Sequence, residues 1–421
     1  MSNERLRIGF IPLCDATALI VAVDKGFAAA EGLEIELVRE VSWSNIRDKL
    51  NIGLFDAAHL IAPVAIASSL GIGHVKVPIV APFGLGVNGN AITVSPALYG
   101  AIAAAAAELA SEASGQRGHS SEVRAPDTRP EPGSSARAHG NILDPMVSAR
   151  ALARVVAGRK AKGEEPLTFG MTFPFSTHNY HLRFWMAAGG VDPDEDVRLV
   201  VLPPPYMVES LANRHVDGFC VGAPWNSVAV DLGIGCILHF VSEILARAAE
   251  KVLGVRSRWA QEHPDLLASL VRAHARAAAF VEDVANRDEV TAMLAAPNRI
   301  GVESEVIRRT LDGRMKVAPD GAVRVDDRYI LIGRKNAGRP EPLQAAWLYA
   351  QMVRWGQAPL SAELLATAKA VFRPDLYDAA VGTFTPDMAS EPADGIGAFA
   401  GPAFDPDDTA AHLATWKIRR R

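Results

Sequence analysis

Residues 6–38 read LRIGFIPLCDATALIVAVDKGFAAAEGLEIELV, and the order of patterns in that stretch decides the fold. Residues 6–12 form an apolar run of strand length. Residues 17–25 read as a helix, and Gly26 and Gly32 break the chain after helical turns. Residues 33–38 alternate apolar and polar side chains at the strand period of two. Moving outward, Ser42 is a good N-cap for a helix over residues 43–51. Residues 55–61 form the next strand, and Pro63 suits the first turn of a helix ending near Leu70. Residues 77–82 and 91–95 are further strands. Regular alternation of strand and helix predicts an α/β unit with a mainly parallel sheet.

The same alternation resumes from Ile142: a helix, a strand at 167–171, a helix at 178–188 ended by Gly189-Gly190, and a strand at 197–202. Strands at 218–221 and 235–240 follow, and from Arg256 to about residue 382 the chain reads as mostly helical. Between the two patterns, residues 111–140 hold thirteen Gly, Ser or Pro and no aromatic. Such a segment buries too little surface to offset its ordering entropy, and it reads as a mobile surface insertion. Two α/β lobes in one chain predict a ligand cleft between them, since ligands bind at strand ends and domain interfaces.

Composition narrows the function. The chain has 421 residues, 43 Lys and Arg against 48 Asp and Glu, and a net charge of −5. That balance supplies no basic field for nucleic acid or an anionic membrane. Cys14, Cys220 and Cys236 are an odd number without metal-ligand spacing, which fits a reducing compartment. The start of the sequence shows no signal-peptide pattern, so a cytoplasmic location is expected.

Isolated motifs are weak. Residues 84–89 match G-x-G-x-x-G, but strand-like Ala91–Val94 follows instead of the helix that a dinucleotide site needs, so a glycine-rich interlobe crossover is expected. His178 and His181 lie on one helix face without further zinc ligands nearby in sequence. His181 reads as a packing or surface histidine. His178 sits at a helix start, where free backbone NH groups and the helix dipole favour an anion; an ordinary cap by Thr177 is the plain alternative. The acids Asp192, Asp194, Glu195 and Asp196 lack calcium-loop order and read as a solvated loop. No activated nucleophile is evident.

Taken together, Gly9–Leu13 (GFIPL), residues 42–50 (SWSNIRDKL), 172–178 (TFPFSTH), 182–190 (LRFWMAAGG), 203–205 (PPP) and 217–226 (DGFCVGAPWN) resemble the nitrate- and bicarbonate-binding solute-binding family of NrtA/CmpA type. The resemblance covers residues 6–95 and 165–265 well and the C-terminal helices loosely. It implies a two-lobed, periplasmic-binding-protein-like (type II) α/β fold with an interlobe cleft. The expected division is 1–90 for the first part of lobe 1, 91–218 for lobe 2 with its insertion, and 219–421 for the return to lobe 1.

Absence of an export pattern resembles the cytoplasmic nitrate/nitrite sensor branch of NasS type. The implied function is to hold an ANTAR-type RNA-binding antiterminator (NasT-like) inactive until nitrate or nitrite arrives, with no direct nucleic-acid or membrane contact. The resemblance carries the ligand-facing aromatic to Trp43, the amide to Asn90, the histidine to His178 with Thr177 beside it, and the lysine to Lys251. Nitrate is planar and weakly basic, so a fixed cation, NH donors and a flat aromatic wall suit it. Read without the resemblance, Lys251 would be a solvent-facing lysine near a helix end. Ala223 stands where the family usually has Glu. Lys251 argues against a calcium-assisted bicarbonate site, and neither metal nor cofactor is expected. The rival readings are a transporter's binding component and an enzyme on the same scaffold, like the thiamine-pathway pyrimidine synthases. The enzyme needs catalytic histidine and cysteine clusters, and no such array is visible.

Overall fold

A computed structural model describes residues 5–117, 141–382 and 395–420. The strands are β1 (Leu6–Phe10), β2 (Ile35–Arg39), β3 (Ala57–Ile61), β4 (Ile79–Asn88), β5 (Asn90–Val94), β6 (Thr168–Met171), β7 (Arg198–Val201), β8 (Gly218–Gly222), β9 (Cys236–Phe240), β10 (Ala249–Arg256), β11 (Arg314–Lys316), β12 (Val323–Val325) and β13 (Ile330–Leu331). They form two main sheets, ordered β13-β4-β10-β3-β1-β2 and β7-β6-β8-β5-β9, with β11 and β12 as a separate pair. Each main sheet is the floor of one lobe, as the alternating pattern predicted.

Both sheets are mixed instead of mainly parallel. β1 pairs parallel with β2 and β3, and β6 pairs parallel with β7 and β8. The strands that carry the chain between lobes run against their neighbours: β10 is antiparallel to β3 and β4, and β5 to β8 and β9. The return to lobe 1 also comes later than residue 219. β8 and β9 still belong to the second sheet, and the chain re-enters the first only at β10. Hydrophobic pattern reports that a strand is buried, not which sheet it joins.

The two crossings are bound together. β4 continues through the glycine-rich stretch to Asn88, so residues 84–88 are strand and the crossover is confined to Gly89 at φ 89°. That left-handed conformation favours glycine. Asn88, itself at φ 61°, donates through Nδ2 to the carbonyls of Ala246 (3.1 Å) and Arg328 (2.9 Å). Its Oδ1 accepts from the Ala248 amide at 2.9 Å. One side chain therefore spans the outgoing strand and the returning one.

Helix boundaries follow local signals. Ser42 and Ser176 accept from the backbone NH of Asn45 and Asn179, starting the helices Trp43–Asn51 and Thr177–Gly189. The helix Pro96–Arg117 runs seven residues into the expected insertion; the other 23, residues 118–140, lie outside the described residues. The C-terminal part is mostly helical as expected, but it also returns β13 to the first sheet beside β4. Its buried helix Pro342–Arg354 packs on the helix Ala62–Leu70. Trp347 of that helix, with Phe399 and Trp416 beyond it, surrounds Phe184 of the second lobe.

Candidate ligand-binding site

Lys251 is fully buried, on β10 rather than at a helix end. The register of β10 against β4 shifts on either side of Lys251, which leaves Glu250 as an extra residue in the ladder. A bulge of this kind suspends strand alternation and re-aims a side chain. Glu250 and Lys251 are both buried, as is every residue of the strand from Ala249 to Val255, and Lys251 Nζ donates to Glu250 Oε2 at 2.6 Å.

The second partner of Lys251 comes from the turn Cys14–Ala16 that follows β1. Asp15 Oδ2 lies 3.0 Å from Nζ. The turn is fixed by Cys14 N donating to the Ala223 carbonyl at 2.8 Å, so Ala223 contributes backbone where the family usually has a carboxylate. Opposite it, a Cβ added at Gly86 would lie 3.0 Å from the Asp15 Cβ, and the missing side chain lets β4 pass close. His59 on β3 places Nε2 2.9 Å from Asp15 Oδ1. Trp43, at the start of its helix, holds Lys251 Nζ 5.4 Å from its ring centroid and meets the His59 ring edge-on.

The second lobe supplies neutral groups. Asn90 Nδ2 donates to Glu250 Oε1. His178 Nδ1 is 2.9 Å from Thr172 Oγ1, and its Nε2 stands 4.0 Å from Glu250 Oε2. His178 Nε2, Thr177 Oγ1, Asn90 Oδ1, both ring nitrogens of His181 and Trp43 Nε1 are buried without a hydrogen-bond partner within the chain. Buried polar atoms are nearly always paired, so such a concentration marks a place for a polar ligand.

Burial works against every charge here, and the neighbours decide the outcome. For Lys251, burial is outweighed by Asp15 and Glu250, and its pKa is raised. For Asp15, burial is outweighed by Lys251 and His59, and its pKa is lowered. Glu250 is pushed up to about 7, chiefly by burial. Burial, reinforced by the Lys251 charge, lowers His178 well below the usual imidazole range and His181 to about 3. His59 is lowered by burial, although Asp15 opposes this. Near neutral pH the site thus holds one ammonium, one firm carboxylate, one carboxylate near its midpoint and three neutral imidazoles. The nearby thiols of Cys14 and Cys220 are pushed up by burial and stay protonated. Among the described residues, no group of three or more His, Cys, Asp or Glu is arranged to hold a metal ion.

The structure brings Trp43, Asn90, His178 and Lys251 together between the lobes, with Thr177 buried beside His178 in sequence, and three roles change. Ser176, one residue earlier, caps the helix, and Thr177 Oγ1 is buried without a hydrogen-bond partner. The Asn90 amide nitrogen donates to Glu250. His181 is wholly buried with neither nitrogen paired, so it is not a surface residue. Sequence reading missed Asp15, His59 and Glu250. The available signals were an acid directly after an apolar run, a histidine inside the buried strand AAHLI, and an acid beside Lys251.

Comparison with known proteins gives the family and the fold. Residues 1–295 match the NMT1-like family. The nitrate/nitrite binding protein NrtA of Synechococcus elongatus is 28% identical over 98% of this chain and 86% of its own length. The nitrate import ATP-binding protein NrtC of Synechocystis is 30% identical over the whole chain, which spans 56% of that relative. The crystal structure of the periplasmic nitrate-binding protein NrtA from Synechocystis superimposes with a TM-score of 0.80 at 26% identity, covering 99% of both chains. The aliphatic sulphonate binding protein SsuA of Escherichia coli shares the fold at a TM-score of 0.53 and 14% identity.

Proposed function

This chain belongs to the NMT1-like family, and on that premise we propose that it binds nitrate or nitrite between its two lobes, without turnover. The observation that carries the reading is the buried Lys251 ammonium, faced by unpaired neutral groups of the second lobe. A planar monovalent oxyanion offers acceptors on every edge. Lys251 would supply its charge, His178 and Thr177 would donate hydrogen bonds, and Trp43 would form the flat wall. Calorimetry with nitrate, nitrite and bicarbonate on the purified chain tests this. Binding of one nitrate or nitrite per chain, recovered chemically unchanged, is expected. Conversion of the ligand, or no heat with either anion, overturns it.

The finer reading is a cytoplasmic sensor that holds an ANTAR-type antiterminator and releases it when the cleft fills; the NasS-like resemblance supports it. Because coupling is reciprocal, the partner would weaken nitrate binding by the same factor that nitrate weakens the partner. Copurification of the antiterminator without nitrate and its release at saturating nitrate is expected; equal copurification in both conditions removes the sensor. The import proteins among the relatives favour a second reading, in which the chain delivers its ligand to a membrane transporter. Among the described residues no helix is long and apolar enough to cross a membrane.

A further inference from the structure

The charges around Lys251 do not balance once an anion is added. Two carboxylates, Asp15 and Glu250, already contact its ammonium. The groups packed around them from the other elements add no positive charge. His59 on β3, and His178 and His181 on the helix Thr177–Gly189, are held neutral by burial, and Cys14, Cys220 and Tyr329 are held protonated. A monovalent anion with no hydrogen of its own would be a third negative charge against one cation, in a site removed from solvent.

We propose that Glu250 is the proton carrier of this site: a hydrogen-free oxyanion enters together with one proton taken onto the Glu250 carboxyl. The inference rests on the anion-binding reading above and adds a specificity-determining residue to it. The geometry singles out Glu250. It is the extra residue of the β10 bulge, its Oε2 accepts from Lys251 and stands 4.0 Å from the facing His178 Nε2, and Asn90 donates to its Oε1. Asp15 is held from two sides, by Lys251 and by His59, and stays ionised. No bond is made or broken beyond the O–H of Glu250, whose proton comes from solvent. With Glu250 neutral, Lys251 keeps one carboxylate partner and is available to the ligand, and the new hydroxyl is itself a donor.

Linkage then requires nitrate affinity to fall as pH rises through the range where free Glu250 ionises. Wild-type chain titrated with sodium nitrate should bind about tenfold more weakly at about pH 8 than at about pH 6. Repeating the titration at about pH 8 in two buffers of different ionisation enthalpy should show uptake of close to one proton per nitrate. Glu250→Gln, which cannot ionise, should lose both the slope and the uptake. Equal wild-type affinity across this range without proton uptake, or a Gln variant that keeps the wild-type slope, overturns the proposal. Nitrate binding absent at every pH would instead overturn the anion-binding reading on which it stands.

Discussion

The two walls of the site are built on opposite plans. The wall from the first sheet is ionic and largely paired: Lys251 contacts both Asp15 and Glu250 and Asp15 meets His59, while Trp43 Nε1 beside them has no partner in the chain. The wall from the second lobe is neutral and underused: His178, Thr177 and His181 carry buried polar atoms that nothing in the chain engages. Pairing stabilises the fold but consumes binding capacity, and unpaired dipoles do the reverse. The difference teaches that the first wall belongs as much to folding as to recognition, whereas the second is kept for the ligand.

Lys251→Ala should have the largest effect because it strikes both roles. It leaves two buried carboxylates without their cation, which should cost on the order of 3–5 kcal/mol of stability. It also removes the charge facing the ligand, so nitrate binding should weaken by roughly 2–5 kcal/mol, about thirtyfold or more. Urea melts and calorimetry measure the two losses separately. A variant of wild-type stability would show that the ionic wall does not hold the fold.

His178→Gln probes the neutral wall with little change in bulk. A hydrogen bond to a charged group contributes about 1.5–3 kcal/mol, so nitrate affinity should fall by roughly ten- to a hundredfold. Stability should stay within about 1.5 kcal/mol of wild type. A stability loss equal to that of Lys251→Ala would erase the distinction between the walls. Trp43→Phe should matter least. The aromatic face over Lys251 is retained, and only an indole NH without a protein partner is lost, so a change in nitrate Kd of less than about tenfold is expected. A greater loss would make Trp43 Nε1 a principal donor and move it to the ligand-directed side.

Much of this architecture was legible along the chain. Alternating strands and helices announced both lobes, Ser42 marked its helix start, and the TFPFSTH stretch marked the helix that carries His178. Strand pairing between sheets was not legible, because antiparallel crossing strands have the same apolar run as parallel ones. β10 was hidden for a specific reason: the strand is buried on both faces, so Glu250 and Lys251 sit side by side in the core with no alternation of apolar and polar residues to mark a strand. An adjacent acid and base in sequence resemble a solvated surface. Asp15 and His59 escaped notice because their significance depends on Lys251, which lies about 200 residues away in sequence and is brought near only by the fold.

Asn88 gives the crossing a mechanical meaning. It stands two residues before Asn90 and grips Ala248, two residues before Glu250, while Asn90 and Glu250 hold each other. Asn90, Glu250 and Lys251 are therefore mounted on the two segments that cross between the lobes. A change of angle at such a crossing, set by a shift of a fraction of an ångström, becomes a wider displacement at the rims of the lobes it joins. Packed elements answer such a push by switching between discrete arrangements, not by bending gradually. On the proposed reading, an ion of a few atoms would bind beside the segments whose geometry sets how the lobes meet.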